Sequence, residues 1–137
     1  MTSPQTWRSR CPINITLEIL GDRWSLLIIR DLMLKGRHRF GELQDGGENI
    51  ATNILTDRLA RLETHRIIAC GPDPDDRRRK LYTLTGRGIA LAPILYEMIL
   101  WAAAHEDTAA PPEEIASMQS DRNAYILAIE EGWKRSV

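Results

Sequence analysis

Four short polar side chains and a run of four cations carry the chemistry this chain has to offer. Thr52, Asn53, Thr56 and Asp57 point away from Ala51, Leu55, Leu59 and Leu62, which recur at helical spacing as one apolar stripe. Arg77, Arg78, Arg79 and Lys80 follow the turn-rich Gly71-Pro72-Asp73-Pro74-Asp75-Asp76, on the descending limb of an expected hairpin. Hydroxyl, amide and carboxylate groups on a helix can read base edges in a major groove. Asn suits adenine, Thr offers a hydroxyl and a methyl to thymine, and Asp accepts from cytosine. Cations on an adjacent hairpin can hold the flanking phosphates. Arg58, beside the apolar stripe, either braces the helix or reaches a phosphate.

Each half has a plainer reading. The helix face can be ordinary solvated surface, and the arginines can pair with Asp73, Asp75 and Asp76 to shape the loop. Because alternate strand residues face opposite ways, the contacts fall either to Arg77 and Arg79 or to Arg78, and the register stays open. Taken together, the helix and the basic hairpin point to duplex DNA.

The elements that must hold these groups follow from the pattern. Pro12 opens a helix carrying Ile13, Thr16, Leu17 and Leu20, which Gly21 ends. Asp22 is the expected cap of a second helix running to Leu34, apolar nearly all round, and Lys35-Gly36 stops it. His38-Arg39-Phe40 reads as extended, then a brief helix uses Phe40 and Leu43 as core contacts. After the Asp45-Gly46-Gly47-Glu48 turn comes the polar-faced helix, Ala51 to Thr64. Strands are expected at Ile67–Cys70 and Lys80–Leu84. Thr85 caps a long helix to about His105, which Pro93 should bend, and two shorter helices follow at Glu113–Met118 and Asp121–Trp133. Tyr125, Ile129 and Trp133 share one face, for core cover or for an interface.

With 137 residues, 43% apolar and 27% charged, the chain suits one globular domain. Net charge is −1, but residues up to His105 carry +3 and those from Glu106 onward −4, so an acidic tail masks a mildly basic body. No apolar run is expected to reach a membrane span, since Trp24–Leu34 is interrupted by Ser25, Arg30 and Asp31. Met1–Arg10 is polar with no export segment behind it, and two distant cysteines fit a reducing cytoplasm. His38, His65 and His105 are scattered without metal-ligand spacing, no Ser or Cys has a base partner, and no glycine loop cradles phosphate. The chain therefore reads as no enzyme, with no metal and no cofactor.

Leu20-Gly21-Asp22-Arg23-Trp24-Ser25-Leu26-Leu27-Ile28, Arg39-Phe40-Gly41-Glu42-Leu43, Leu55-Thr56-Asp57-Arg58-Leu59 with Leu62-Glu63, Tyr82-Thr83-Leu84-Thr85 with Gly86-Arg87-Gly88, and Leu91-Ala92-Pro93-Ile94-Leu95 before Trp101 follow one another in order. In that order they resemble the HxlR-type winged-helix transcriptional regulators, over about residues 11–105. The wing, Asp73 to Lys80, looks more like that of the MarR-type regulators, and Ala51 stands where HxlR members often have a Ser cap, so a cap is expected from Asn49 or Thr52.

The resemblance implies a mainly α winged helix-turn-helix fold with a small antiparallel β-hairpin, working as a homodimer through its terminal helices. It covers residues 11–105 as the DNA-binding domain with its dimerisation helix; outside it, residues 1–10 read as an N-terminal arm and 106–137 as an acidic helical extension with a packing or dimer role. It implies a bacterial, cytoplasmic regulator of transcription, more often a repressor, that binds a near-palindromic double-stranded operator and no membrane. Thr52, Asn53, Thr56, Asp57 and Arg58 then form the recognition helix, and Arg77, Arg78, Arg79 and Lys80 the wing. The family's recurring cysteine falls at Cys11, a redox sensor in some members; a thiol at a helix N-terminus gains thiolate character, while a small residue buried at a dimer seam is the plainer account. Cys70 reads as inert. Two further readings remain: a small-molecule or oxidant effector, and a winged-helix protein–protein adaptor that does not bind DNA.

Overall fold

The computed structural model describes residues 6–136; residues 1–5 of the expected N-terminal arm lie outside the described residues, as does 137. Eight helices and one hairpin follow in the order α1 (Pro12–Leu20), α2 (Ser25–Leu34), α3 (Phe40–Gln44), α4 (Thr52–Thr64), β1 (Ile68–Pro72), β2 (Lys80–Leu84), α5 (Gly86–Ile89), α6 (Ala92–His105), α7 (Pro112–Ser120) and α8 (Arg122–Ser136). β1 and β2 pair antiparallel with Ile68 opposite Leu84 and Pro72 opposite Lys80. The mainly α winged helix-turn-helix with its small hairpin is therefore the fold.

In the main core cluster α2 gives Ile28, Ile29 and Leu32, α4 gives Leu55, Leu59 and Leu62, and the hairpin gives Ile68, Tyr82 and Leu84. The apolar stripe of α4 thus turns inward, which leaves its polar face outside.

Local rules explain the element ends. Arg66, in the left-handed region at φ 60°, closes α4: its N–H donates to the Glu63 carbonyl and the Ile67 N–H donates to the Leu62 carbonyl. That bond keeps Ile67 out of the ladder, so β1 starts one residue later than expected and runs on to Pro72. Gly88 passes under the Ile67 carbonyl so closely that an added Cβ would lie 2.2 Å from that oxygen. Close packing accounts for this glycine.

The expected long helix is divided, where a bend was anticipated. Pro93 has no N–H to return to Ile89, and the chain instead makes tighter bonds, Leu91 N–H to Gly88 carbonyl and Ile94 N–H to Leu91 carbonyl. Gly86–His105 is also, by length and composition, apolar enough to cross a membrane, which corrects the expectation that no stretch would be. Its inner side serves a protein core: Ala92 and Tyr96 pack with Met118 and Ile126 of α7 and α8.

α8 covers the body. Ile129 and Trp133 pack on the main core and Tyr125 on the second cluster, and the Trp133 indole N–H donates to the Leu84 carbonyl at 2.9 Å. Core cover, one of the two roles open for these three residues, is thus one they perform.

Candidate nucleic-acid interface

α4 begins without a side-chain cap. Ala51 holds the N-cap position in extended backbone, Asn49 sits at φ 58°, and Thr52 is already the first helical residue. The expected cap from Asn49 or Thr52 is thus absent: Asn49 lies two positions before the N-cap in left-handed backbone, and Thr52 is already inside the first turn. The opening N–H groups of α4 are left for an outside acceptor, the arrangement that favours an anion.

Thr52, Asn53, Thr56 and Asp57 are all exposed. Their hydrogen bonding separates them. Thr52 Oγ1 accepts from Gln44 Nε2, Thr56 Oγ1 donates to the Thr52 carbonyl, and Asp57 pairs with Arg58. Asn53 has no side-chain partner among the described residues, so its amide is the group with both donor and acceptor unspent.

Arg58 braces. Its Nε donates to Asp22 Oδ1 at 3.0 Å, tying α4 to the turn between α1 and α2. Asp22 also accepts from the N–H groups of Trp24 and Ser25 and from the Ser25 hydroxyl, so it holds the turn that leads into α2, whose N-cap falls at Trp24 and not at Asp22 as expected. Burial pushes the Asp22 carboxyl up, but the Ser25 hydroxyl, the two N–H groups and Arg58 outweigh it and bring it to about 2. Burial also opposes the charge of Arg58, and Asp22 more than restores it.

The hairpin is set from α3. Arg39, just before α3, pairs through Nε with Asp73 and through Nη2 with Asp75 at 3.0 Å. Asp73 is buried, and the hydrogen bond from Arg39 holds its carboxyl below the usual range. His38 adds a bond between Nδ1 and the Tyr82 carbonyl, and the Tyr82 N–H donates to the His38 carbonyl. Sequence reading assigned no role to Arg39 and His38. It placed Asp73 with the nearby arginines, whereas its strong partner is Arg39, just before α3; the signal available was the Arg39 signature and an aspartate among hairpin prolines.

The four cations differ as well. Arg78 pairs with Asp76 at 3.1 Å, and Arg79 lies 3.6 Å from Asp76 and 3.9 Å from Asp73. Arg77 and Lys80 are exposed and make no ion pair or hydrogen bond among the described residues. A cleft of about 760 Å³ joins helix to hairpin: Thr56 of α4, Gly41 and Glu42 of α3, and Arg79 and Lys80 line it. Thr56 and these two cations therefore share one side of the protein. Glu42, in the same cleft, is turned to the backbone and accepts from the N–H groups of His38 and Arg39.

Cys11 stands exposed at the N-cap of α1. Cys70 is half-buried on β1, opposite Tyr82. Between Cys11 and the core, the arm is held by the Glu18 carboxylate, which accepts from the Arg8 N–H and the Asn14 amide, and Trp7 stacks on His65 at the end of α4. Among the described residues no three His, Cys, Asp or Glu side chains stand together as a metal site would require.

Comparison with known proteins gives a family model, HxlR-like helix-turn-helix, that matches residues 19–110. An HTH-type transcriptional regulator of Synechocystis, sll1512, is 41% identical over 64% of this chain and 64% of its own length, so the chain spans just under two thirds of that relative. The HTH-type transcriptional regulator YodB of Bacillus subtilis is 37% identical over 67% of this chain and 82% of its own. Among solved structures, the reduced form of YodB matches with TM-score 0.59 and 34% identity over 71% of this chain and 95% of that one. The redox regulator HypR in its oxidised form matches with TM-score 0.60 and 29% identity over 72% and 100%.

Proposed function

This chain belongs to the HxlR-like helix-turn-helix family of transcriptional regulators, and from that premise we propose that it is a sequence-specific DNA-binding repressor acting in the cytoplasm as a homodimer on a near-palindromic operator. The observation that carries the reading is the shared cleft, whose lining sets Thr56 of α4 with Arg79 and Lys80 of the hairpin. α4 enters a major groove, Asn53 leads base readout with Thr52, Thr56 and Asp57 around it, and the hairpin lies on the flanking backbone. Arg58 serves this surface by holding α4 to Asp22. Gene control here needs occupancy of a promoter and no catalysis.

The protomer supports a two-fold assembly. Ile13 and Leu17 of α1, and Ile94, Met98 and Trp101 of α6, are large apolar side chains left exposed, one turn or two apart on each helix. Trp101 is 65% exposed. A near-neutral total charge favours the adaptor reading, but the acidic residues after His105 account for it, since the residues up to His105 carry +3.

Hydroxyl-radical footprinting and gel-shift on the DNA upstream of the chain's own gene test the reading. Arg77→Ala is expected to weaken binding on all duplexes and flatten the salt dependence by about one unit in log–log slope. An unchanged slope moves the phosphate contact to Lys80 or Arg79. Asn53→Ala is expected to cost about 1–3 kcal/mol at one base position and relax preference there. Equal loss on operator and random duplex removes Asn53 from base readout.

The exposed Cys11 is proposed as an oxidant-responsive thiol, supported by its open position and by the redox regulator among the structural relatives. Diamide is expected to release wild-type protein from its operator and to leave Cys11→Ser bound. Equal release of both proteins removes the sensor.

A further inference from the structure

A second cavity lies away from the α4 side, and much of its wall comes from residues after 105. It measures about 550 Å³, within the range of small-molecule sites. Leu27 and Leu34 of α2, Leu95 and Ile99 of α6, and Ile115 of α7 make it apolar. Ala109, Ala110 and Pro111 close one side, so the extension builds a wall that the family match, ending at residue 110, barely includes.

Three polar groups on this lining have no side-chain partner among the described residues. Lys35 stands at the end of α2, Glu114 in the first turn of α7, and Tyr125 on α8. Arg30 also lines the cavity, but its charge is taken by Asp31 and by Glu48 at 2.8 Å. The free cation is therefore Lys35. An apolar chamber with an unmatched ammonium at the end of α2 and an unmatched carboxylate on α7 suits a guest with a ring-sized apolar body and one negative group held at the α2 end, since the body gains by leaving water and the anion finds its counter-charge there.

We propose that this cavity is a binding site for a small amphipathic anion, a one- or two-ring molecule bearing a single carboxylate, sulfonate or phenolate, with that group at Lys35 and its rings between α2, α6 and α7. Met98 lines both this cavity and the exposed groove of α6. Occupancy therefore reaches the face assigned to the partner protomer, a consequence that rests on the proposed dimer; the binding itself requires neither dimer nor DNA.

The test uses the full chain with 1-anilinonaphthalene-8-sulfonate as anionic probe and N-phenyl-1-naphthylamine as its neutral counterpart, by fluorescence titration and calorimetry. One saturable sulfonate site per chain is expected. Lys35→Glu should weaken the sulfonate at least tenfold and the neutral probe less than twofold, and Glu114→Gln should tighten only the sulfonate. Ile115→Trp should abolish both by filling the chamber, with Ala110→Phe as a second filling variant in the linker, each checked for unchanged circular dichroism. Binding that survives both filling variants but is lost in Trp101→Glu places the probe on the outer face and overturns the proposal. So does binding that appears only when the protein is diluted to monomer, which would mean that a second copy fills the chamber. Non-saturable binding, or equal loss of both probes in Lys35→Glu, overturns it too.

Discussion

Trp101→Glu is expected to turn the dimer into folded monomers and to lower operator affinity about 100-fold or more. The side chain is largely exposed in the protomer, and its ring stacks only on His105 of the same helix. Its replacement therefore opens no core cavity, and circular dichroism should be unchanged. At a two-fold seam the effect is different, because each substitution places a carboxylate beside apolar Ile94 and Met98 of its own helix and brings two such charges close to one axis. Two recognition helices held together bind the second half-site as an intramolecular event, which raises affinity over a single module by roughly 10²–10⁴. Loss of the link forfeits that factor. Sedimentation equilibrium and gel-shift on one preparation check both parts. An intact dimer with affinity within twofold would take α6 out of the interface.

Asp22→Ala is expected to cost about 2–4 kcal/mol of stability, the largest loss among the site-supporting residues. One carboxylate serves the Trp24 and Ser25 N–H groups, the hydroxyl of buried Ser25, and Arg58. Its removal leaves all four without their acceptor, and the guanidinium of α4 keeps only the exposed Asp57. The pH dependence follows with a definite sign. The folded carboxyl lies at about 2, below its unfolded value of about 3.9, so its contribution is fully present above pH 4. It is lost as pH falls from about 4 to about 2, and amounts to about 2 kcal/mol. Urea titrations at pH 7 and pH 2.5 should show the wild type losing this share and Asp22→Ala lacking it. Since Arg58 also ties α4 to the turn between α1 and α2 through Asp22, specific DNA affinity should fall more than non-specific affinity at pH 7. Equal stability of the two proteins at pH 7 would remove Asp22 as the hub.

Elements defined by near neighbours in the chain were readable from sequence. Pro12 and Gly21 bound α1, the alternation of Lys80 to Leu84 gives β2, and the Leu55-Leu59-Leu62 stripe fixes which face of α4 turns inward. Thr85 caps the helix after the hairpin, with its hydroxyl accepting from the Gly88 N–H. Competition between neighbours was harder to read. Pro93 divides α5 from α6 because Leu91 and Ile94 find three-residue bonds, and nothing in the periodicity distinguishes that outcome from a bend.

Long-range pairing was not legible at all. Arg58 meets Asp22 across 36 positions, Arg39 meets Asp73 across 34, and Trp133 meets Leu84 across 49. Each is a choice among many cations, anions and carbonyls that only the packed fold makes. For the same reason the sequence marked Arg77 to Lys80 as one group, whereas the fold ties Arg78 and Arg79 to Asp76 and leaves Arg77 and Lys80 for an outside charge.

The central claim is that two copies of α4 read one operator from the same side, each beside its own hairpin. Hydroxyl-radical footprinting of wild-type protein on the upstream DNA at about 0.15 M salt measures this most directly. The account predicts two related protected segments whose centres are one helical turn, or a small multiple of it, apart on one face of the duplex, both lost in Trp101→Glu. A single unpaired segment, or uniform protection with no sequence preference, would contradict it.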